Sequence, residues 1–185
     1  MKTYLLVEGQ ADLEILRRLL PSDIEQQTTI AAAGGRSNIT SMARSLLVTK
    51  RKPLALVMDA DAVEDGAVRQ QRQISEELLR SVSAGVPFKV ILMVPEIEAW
   101  FFLVPDALER LSGENLTTDL KALAVSRPKE VLAQLFKSRG GSPITLLANG
   151  MTEDEIQSLR ETPPGKELLA FLSDPVANKI QPLLV

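Results

Sequence analysis

Three acidic residues stand where carboxylates can do chemistry. Glu8 follows a short apolar run that ends at Val7. Asp59 and Asp61 follow a second apolar run, which ends at Met58. In an extended segment, carboxylates two residues apart project to the same side, about 7 Å apart along the backbone, so this pair could share one metal ion or bracket two. The spacing predicts a site for Mg²⁺ or Mn²⁺, with helix caps or solvated loop residues as the alternative for each motif alone.

The amino-acid composition limits the kinds of catalysis that the protein could perform. The chain contains no cysteine and no histidine. This excludes disulfides, thiolate nucleophiles, cysteine zinc sites and histidine general bases. An enzyme would have to use carboxylates, lysine, arginine, hydroxyl groups and metal-activated water. The net charge of -3 argues against a chain that coats nucleic acid by bulk positive charge, although a local basic patch could still bind it.

Short apolar runs alternate with amphipathic stretches in the first half of the chain. The predicted strands lie at 3–7, 28–32, 53–58 and 88–94, and the predicted helices lie at 11–20, 39–48 and 67–82. This order predicts an α/β, Rossmann-like fold with a mainly parallel four-stranded sheet flanked by helices. In such sheets ligands bind at the carboxyl ends of the strands, where Asp59 and Asp61 stand. Glu8 joins them if the first and third strands are neighbours.

Two finer features of the helices follow from residue spacing. Ile74, Leu78, Leu79 and Val82 form an apolar stripe, which predicts the buried face of the third helix. Asn38 stands at the start of the second helix, where its side chain could accept from free backbone N–H groups, so it is predicted to be the N-cap.

Beyond Val94 the pattern changes to a helix or strand-to-helix turn and then to polar segments punctuated by proline. Helical candidates lie at 129–137, 152–160 and 165–172. We predict an α/β core at residues 1–111 and a mostly helical extension at 112–185 that packs on it. There is no apolar stretch of 18 residues and no cleavable signal pattern, so the sequence predicts a cytoplasmic protein that does not bind a membrane.

Four sequence blocks resemble a known family. Val7-Glu8-Gly9-Gln10-Ala11-Asp12 resembles the first motif of TOPRIM domains, and Val57-Met58-Asp59-Ala60-Asp61 resembles their Asp-x-Asp motif. The blocks at 33–38 and 95–101 are similar to blocks of small stand-alone bacterial TOPRIM-like proteins of uncharacterised function. The resemblance covers roughly residues 1–111. The wider family includes topoisomerases, bacterial primases, RNA-maturing nucleases and nucleases of the overcoming-lysogenization-defect kind.

The resemblance implies roles for the acidic residues. Asp59 and Asp61 would coordinate Mg²⁺, and Glu8 would complete a second metal site or act as the general base. Glu98, just past the fourth apolar run, could be a fourth ligand or orient one. Favourable electrostatics at a helix start is the alternative for Glu98. Glu96 is a weaker candidate.

Five further residues are candidates for binding nucleic acid or phosphate. Gly9 lets the backbone turn tightly beside the acidic site. Gly35 and Arg36 precede a helix and could offer a backbone N–H and a guanidinium to a phosphate, with a flexible turn as the alternative. Lys137 and Arg139 lie near a glycine pair, from which they could also reach a phosphate.

The candidates within the TOPRIM class differ in what they require. The only tyrosine, Tyr4, lies inside a predicted strand, which argues against a topoisomerase, and the chain is too short for a complete primase. Related recombination mediators carry cysteine zinc sites, which this chain cannot build. Trp100, Phe101 and Phe102 are interpreted as core residues, with base stacking as the alternative.

The leading hypothesis is a metal-dependent nuclease that acts on DNA or RNA. By analogy with related nucleases, a separate ATPase partner and a defence or toxin-like role are predicted. The oligomeric state is left open, with a homodimer as one candidate. One alternative is a non-catalytic TOPRIM-like module that binds nucleic acid or protein. Another is a Mg²⁺-dependent phosphohydrolase or phosphotransferase that acts on a small phosphorylated molecule.

Overall fold

A computed structural model of the protein, which describes residues 2–176, contains one four-stranded sheet. The strands are β1 (Thr3–Val7), β2 (Thr28–Ala32), β3 (Leu54–Asp59) and β4 (Phe88–Met93). All of them run parallel, in the order β2-β1-β3-β4. The predicted α/β fold with a parallel four-stranded sheet is confirmed. Because β1 pairs directly with β3, the carboxyl ends of these two strands meet at one edge of the sheet.

Helices surround this sheet, and the C-terminal region that the structure describes consists of helices joined by short loops. They are α1 (Gln10–Leu19), α2 (Ser22–Gln27), α3 (Arg36–Lys50), α4 (Asp65–Ser83), a 3₁₀ helix (Ile97–Leu103), α5 (Pro105–Ser112), α6 (Thr118–Ala124), α7 (Pro128–Leu135), α8 (Pro143–Gly150), α9 (Glu153–Arg160) and α10 (Pro163–Ser173). None of the helices within residues 2–176 has both the length and the apolar character needed to cross a bilayer. Residues 177–185 of the predicted extension lie outside the described residues.

Four of the helices were not predicted individually. These are α2, α5, α6 and α8, each of eight residues or fewer. Both α5 and α8 begin at a proline, a residue that usually indicates the end of a helix or strand. At the first helical position, however, the missing N–H of proline costs nothing and its fixed φ favours the helix.

The sheet has two apolar faces because successive strand residues point to opposite sides. Leu6 and Leu56 pack with α3 and α4 in one cluster. Leu5 and Val57 face the other side, where α1 and the C-terminal helices contribute to a larger cluster that extends to Leu172. The C-terminal helices therefore share an apolar core with the sheet.

The buried face of α4 differs from the predicted stripe. Ile74 and Leu78 are 50% and 42% exposed, whereas Leu79 is fully buried. The inward face carries Ser75 and Ser83 beside Leu79. Small side chains allow α4 to lie close to the sheet, and Ser75 Oγ lies 3.9 Å from Met58 Sδ. The prediction for Ile74 and Leu78 was wrong because it counted apolar residues alone.

The start of α3 also differs from its prediction. Asn38 does not cap the helix, which begins two residues earlier, at Arg36, with Gly35 as the N-cap. Gly34 and Gly35 both have positive φ, at 79° and 119°, and this glycine pair turns the chain directly into the helix. The Asn38 side chain instead donates to the carbonyl oxygen of Gly34 at 3.4 Å.

Candidate metal centre

The pairing of β1 with β3 brings Glu8 and Asp59 together at the carboxyl edge of the sheet. The backbone N–H of Asp59 donates to Glu8 Oε1 at 3.1 Å. The Asp59 side chain is held in turn, because the N–H of Ile97 donates to Asp59 Oδ1 at 2.9 Å. Both carboxylates are thus fixed by backbone groups of neighbouring segments.

Three carboxylates converge where the chain leaves β4. One oxygen from each of Asp59, Glu96 and Glu98 lies within 4.8 Å of the others, and we call these three residues the carboxylate triad. Glu96 precedes the 3₁₀ helix and Glu98 lies in its first turn, so the short turn after β4 directs both toward the end of β3. Glu98 is buried, and the other two are half-buried. Such a set offers oxygen ligands to a hard divalent cation.

A cleft of about 510 Å³ opens at this point and is called the main cleft. Its floor comes from the strand ends, and its far wall comes from α7 and the start of α8. Its lining residues are Glu8, Gly9, Gln10, Ala11, Asp12, Gly35, Asp59, Glu98, Lys129, Leu132, Ala133, Ser142, Pro143 and Ile144. Four of them are acidic. Among the lining residues of the described chain, Lys129 is the only cation.

Sequence reasoning missed Lys129 as a site residue. Its backbone N–H donates to Glu96 Oε1 at 3.0 Å, and its Nζ lies 3.9 Å from Glu98 Oε1. The side chain is 73% exposed, so this ion pair is weak and the ammonium group is accessible from the cleft. Nothing in the local sequence around Pro128 signals this placement, because it depends on how α7 packs against the 3₁₀ helix.

Asp12 is a second residue of the cleft that was not predicted to belong to the site, although it lies in the first family-like block. Its Oδ2 accepts from the N–H of Gly9 at 2.8 Å at the start of α1. Gly9 and Gly35 line the cleft as candidates for phosphate binding. The N–H of Gly35 donates to the carbonyl oxygen of Glu8 at 2.9 Å. Both glycine N–H groups therefore already donate to protein oxygens. The glycines leave room in the cleft because they lack side chains, but they do not offer free N–H donors to a phosphate.

Asp61 is not part of the carboxylate triad. Its carboxylate forms an ion pair with the Arg36 guanidinium, and it lines a hollow of about 350 Å³ that is distinct from the main cleft and is also lined by Glu96. The prediction assumed an extended chain from Asp59 to Asp61, but Asp61 has a left-handed φ of 50°. The chain therefore turns after Ala60, and the two aspartates do not share one side. Arg36 also donates to the carbonyl oxygen of Asp59 at 3.3 Å, so this candidate phosphate ligand is occupied by protein groups.

The other two basic candidates lie outside the main cleft. Lys137 and Arg139 follow α7, and neither lines the cleft. Arg139 Nε donates to the carbonyl oxygen of Ser112 at 2.8 Å, and its guanidinium fills the space beside Gly113. Arg139 thus ties the loop after α7 to the end of α5, which is a structural contact.

The acidic residues of the cleft are crowded. Burial raises the pKa of Asp59 from 3.8 to about 7. The N–H of Ile97 opposes this rise, whereas the negative charges of Glu8, Glu98 and Asp12 add to it. Burial also raises the pKa of Glu98 and of Asp12. A divalent cation among these groups would favour their charged forms.

This crowding predicts how stability depends on pH. Between about pH 4 and about pH 7, folded Asp59 keeps a proton that the unfolded chain has released, so the stability of the cation-free protein falls as the pH rises. Asp59→Asn removes the charge and can keep the acceptor for Ile97. In EDTA, we expect this substitution to raise the Tm more at about pH 8 than at about pH 5. Equal increases in Tm at the two pH values would show that the pKa of Asp59 is not raised by its surroundings.

A second prediction separates the observed triad from the Asp-x-Asp arrangement. Glu96→Gln is expected to weaken the affinity for Mg²⁺ or Mn²⁺ about tenfold or more, because it removes a charge from the triad. Asp61→Asn is expected to weaken it less than about threefold, since Asp61 is paired with Arg36. Titration calorimetry measures both. If Asp61→Asn lost more cation affinity than Glu96→Gln, Asp61 would be a metal ligand, as the Asp-x-Asp motif predicts.

The four family-like blocks all lie at the carboxyl ends of strands or directly after them, and each contributes at least one residue to the carboxyl edge described above. The likeness to TOPRIM domains stays a prediction that depends on these blocks. Comparison of the chain with models of protein families, with curated proteins and with solved structures found no match in any of the three.

Proposed function

We propose that this protein is a metal-dependent nuclease that hydrolyses phosphodiester bonds of DNA or RNA in the main cleft. The observation that carries the proposal is the carboxylate triad, whose oxygens lie within 4.8 Å of one another at the carboxyl edge of a parallel sheet. This edge is where open α/β sheets bind their ligands.

The composition of the cleft fits Mg²⁺ or Mn²⁺. Its potential ligands are carboxylate oxygens, which these hard cations prefer. Four acidic residues and one lysine line the cleft, so a phosphate would be repelled unless cations offset the negative charge. The raised pKa of Asp59 has the same origin, because burial and like charges disfavour its ionised form.

Different residues of the cleft would carry out different parts of the proposed hydrolysis. A bound divalent cation would supply positive charge to the phosphate and acidify a water molecule. Glu8 is held by the N–H of Asp59 and faces the cleft, so it is placed to accept a proton from the attacking water. The Lys129 ammonium lies on the opposite wall, where it can contact a phosphate oxygen and offset its growing charge. The apolar wall at Leu132 and Ile144 limits the water around these groups.

The experiment is a cleavage assay with labelled single- and double-stranded DNA and RNA, in Mg²⁺, in Mn²⁺ and in EDTA. We expect cation-dependent cleavage of at least one of these polymers. If none is cleaved and calorimetry shows no cation binding, the non-catalytic binding module is the better reading. A separate ATPase partner, a defence role, a homodimer and a cytoplasmic location stay predictions from the sequence.

A phosphohydrolase or phosphotransferase acting on a small phosphorylated molecule is the second candidate. The volume of the main cleft, about 510 Å³, falls within the range of small-molecule sites and favours this reading. Release of inorganic phosphate from mononucleotides and sugar phosphates tests it. Cation binding with phosphate release and without cleavage of any polymer would replace the nuclease proposal with this one.

A further inference from the structure

Another hollow, separate from the main cleft and from the hollow at Asp61, adjoins the carboxylate triad at Glu96. It has a volume of about 360 Å³ and lies between the 3₁₀ helix and the start of α10, at the carboxyl end of β4. We call it the side groove. Its apolar surface comes from Met93, Val94, Trp100, Leu103, Pro163 and Pro164. The function proposed above does not use it.

Glu96 connects the side groove to the candidate metal centre. It lines the groove and also belongs to the triad, where one of its oxygens lies within 4.8 Å of oxygens of Asp59 and Glu98. The triad and the groove therefore share the Glu96 side chain, which puts the groove beside any phosphate bound through a cation at the triad.

The groove offers an apolar surface that stays open to solvent. Leu103 is 58% exposed and Val94 is 43% exposed, and Pro163 is exposed beside them. Trp100 is only 3% exposed, and its indole N–H donates to Thr162 Oγ1 at 2.7 Å. This hydrogen bond fixes the indole against the first turn of α10. The groove is therefore an apolar slot with an open rim.

The cations at the groove are already paired with a carboxylate. Glu96 and Glu167 both line the groove, and Glu167 Oε1 is bound by Lys89 Nζ at 2.9 Å as well as by Arg72. Arg72 is the only cation among its lining residues in the described chain, and it already donates to Glu167 Oε1 at 3.2 Å and to the carbonyl oxygen of Val90 at 3.0 Å. Glu96 is the lining carboxylate without a cation paired to it in the described chain, so a neutral, flat ligand with an N–H donor fits the apolar walls beside it, which is the chemistry of a nucleobase.

We infer that the side groove binds the nucleobase next to the phosphate held at the triad. A base can enter such a slot only when it is unpaired, so the preferred substrate is single-stranded nucleic acid. This inference rests on the proposed nuclease function and adds the substrate class. Glu96 belongs to both sites, and Leu103 belongs to the base site alone.

Trp100 provides a direct probe, because it is the only tryptophan of the chain and it lines the groove. With Ca²⁺ present to slow turnover, the intact protein is titrated with a short single-stranded oligonucleotide, with the same oligonucleotide as a duplex, with a fully abasic strand and with a mononucleotide. We expect a saturable change of Trp100 emission with the single strand, and at least about fivefold weaker binding of the duplex and of the abasic strand.

A pair of variants tests the groove itself. Leu103→Ala is expected to weaken binding of the single strand about fivefold or more and to leave binding of the abasic strand unchanged. The matched control is Val125→Ala, at an apolar side chain that is 68% exposed and lies outside the groove. It should bind both strands as the wild type does. Both substituted residues are largely exposed, so neither variant should lose its fold.

The outcomes distinguish this inference from the proposed function. Equal binding of the base-containing and abasic strands, with cation-dependent cleavage retained, would overturn the base site and leave the nuclease proposal standing. A duplex that binds as tightly as the single strand would overturn the preference for single strands. A mononucleotide that binds as tightly as the oligonucleotide would reassign the groove to small substrates. Base-dependent binding without any cleavage would support the groove while contradicting the nuclease.

Discussion

Asp59→Asn should slow cation-dependent cleavage by at least about 100-fold, because it removes one negative charge from the carboxylate triad. The substitution preserves the shape of the side chain and can keep the oxygen that accepts from the N–H of Ile97. The loss is therefore expected in catalysis and cation affinity, with the fold intact. Initial rates at saturating Mg²⁺ and at saturating Mn²⁺ measure it.

A matched aspartate provides the control for this prediction. Asp23 is exposed on α2, outside the main cleft, and Asp23→Asn makes the same chemical change there. This variant should cleave at the wild-type rate. If Asp59→Asn retained more than about a tenth of the wild-type rate at saturating cation, the triad would not be the catalytic metal centre. Circular dichroism of both variants confirms that the comparison is between folded proteins.

Phe171→Ala is expected to reduce the free energy of unfolding by about 3–5 kcal/mol. Phe171 is fully buried in α10, in the apolar cluster that includes the sheet residues Leu5 and Val57. Truncation of this ring leaves a cavity that rigid neighbours cannot fill. Urea unfolding followed by circular dichroism measures the loss, and a single transition is expected because the C-terminal helices and the sheet share this core.

The control for Phe171 is an apolar residue with little burial. Val125→Ala should change the free energy of unfolding by less than about 0.5 kcal/mol, because its side chain is 68% exposed. Two separate transitions in the wild type would contradict the shared core, since the C-terminal helices would then unfold apart from the sheet. A loss below about 1 kcal/mol for Phe171→Ala would contradict it as well.

The sheet and part of the site follow from local sequence patterns. The strands are nearly continuous apolar runs, as is typical of strands covered on both faces, so their positions could be predicted to within one or two residues. The proximity of Glu8 and Asp59 follows once β1 and β3 are neighbours. Asp61 could not be placed this way, because its left-handed φ depends on contacts after β3. One of these contacts is its N–H donating to the carbonyl oxygen of Pro95 at 2.8 Å.

The remaining site residues depend on tertiary packing. Glu96 reaches the triad because the chain turns into a 3₁₀ helix directly after β4, a geometry that apolar periodicity does not reveal. Lys129 reaches the cleft because α7 packs against that 3₁₀ helix, about 30 residues further along the chain. Such contacts between distant segments need a structure or related sequences to predict them.

The division of the sheet into two apolar faces has a consequence for synthesis. Once Leu92 has left the ribosome, the cluster beneath α3 and α4 has all its buried residues, whereas the opposite cluster is completed only by Leu172, about 80 residues later. At 5–20 residues per second this delay is on the order of 4–16 seconds. During that time the face of the sheet that carries Leu5 and Val57 is only partly covered, so a nascent chain paused in this interval would present part of that face to chaperones.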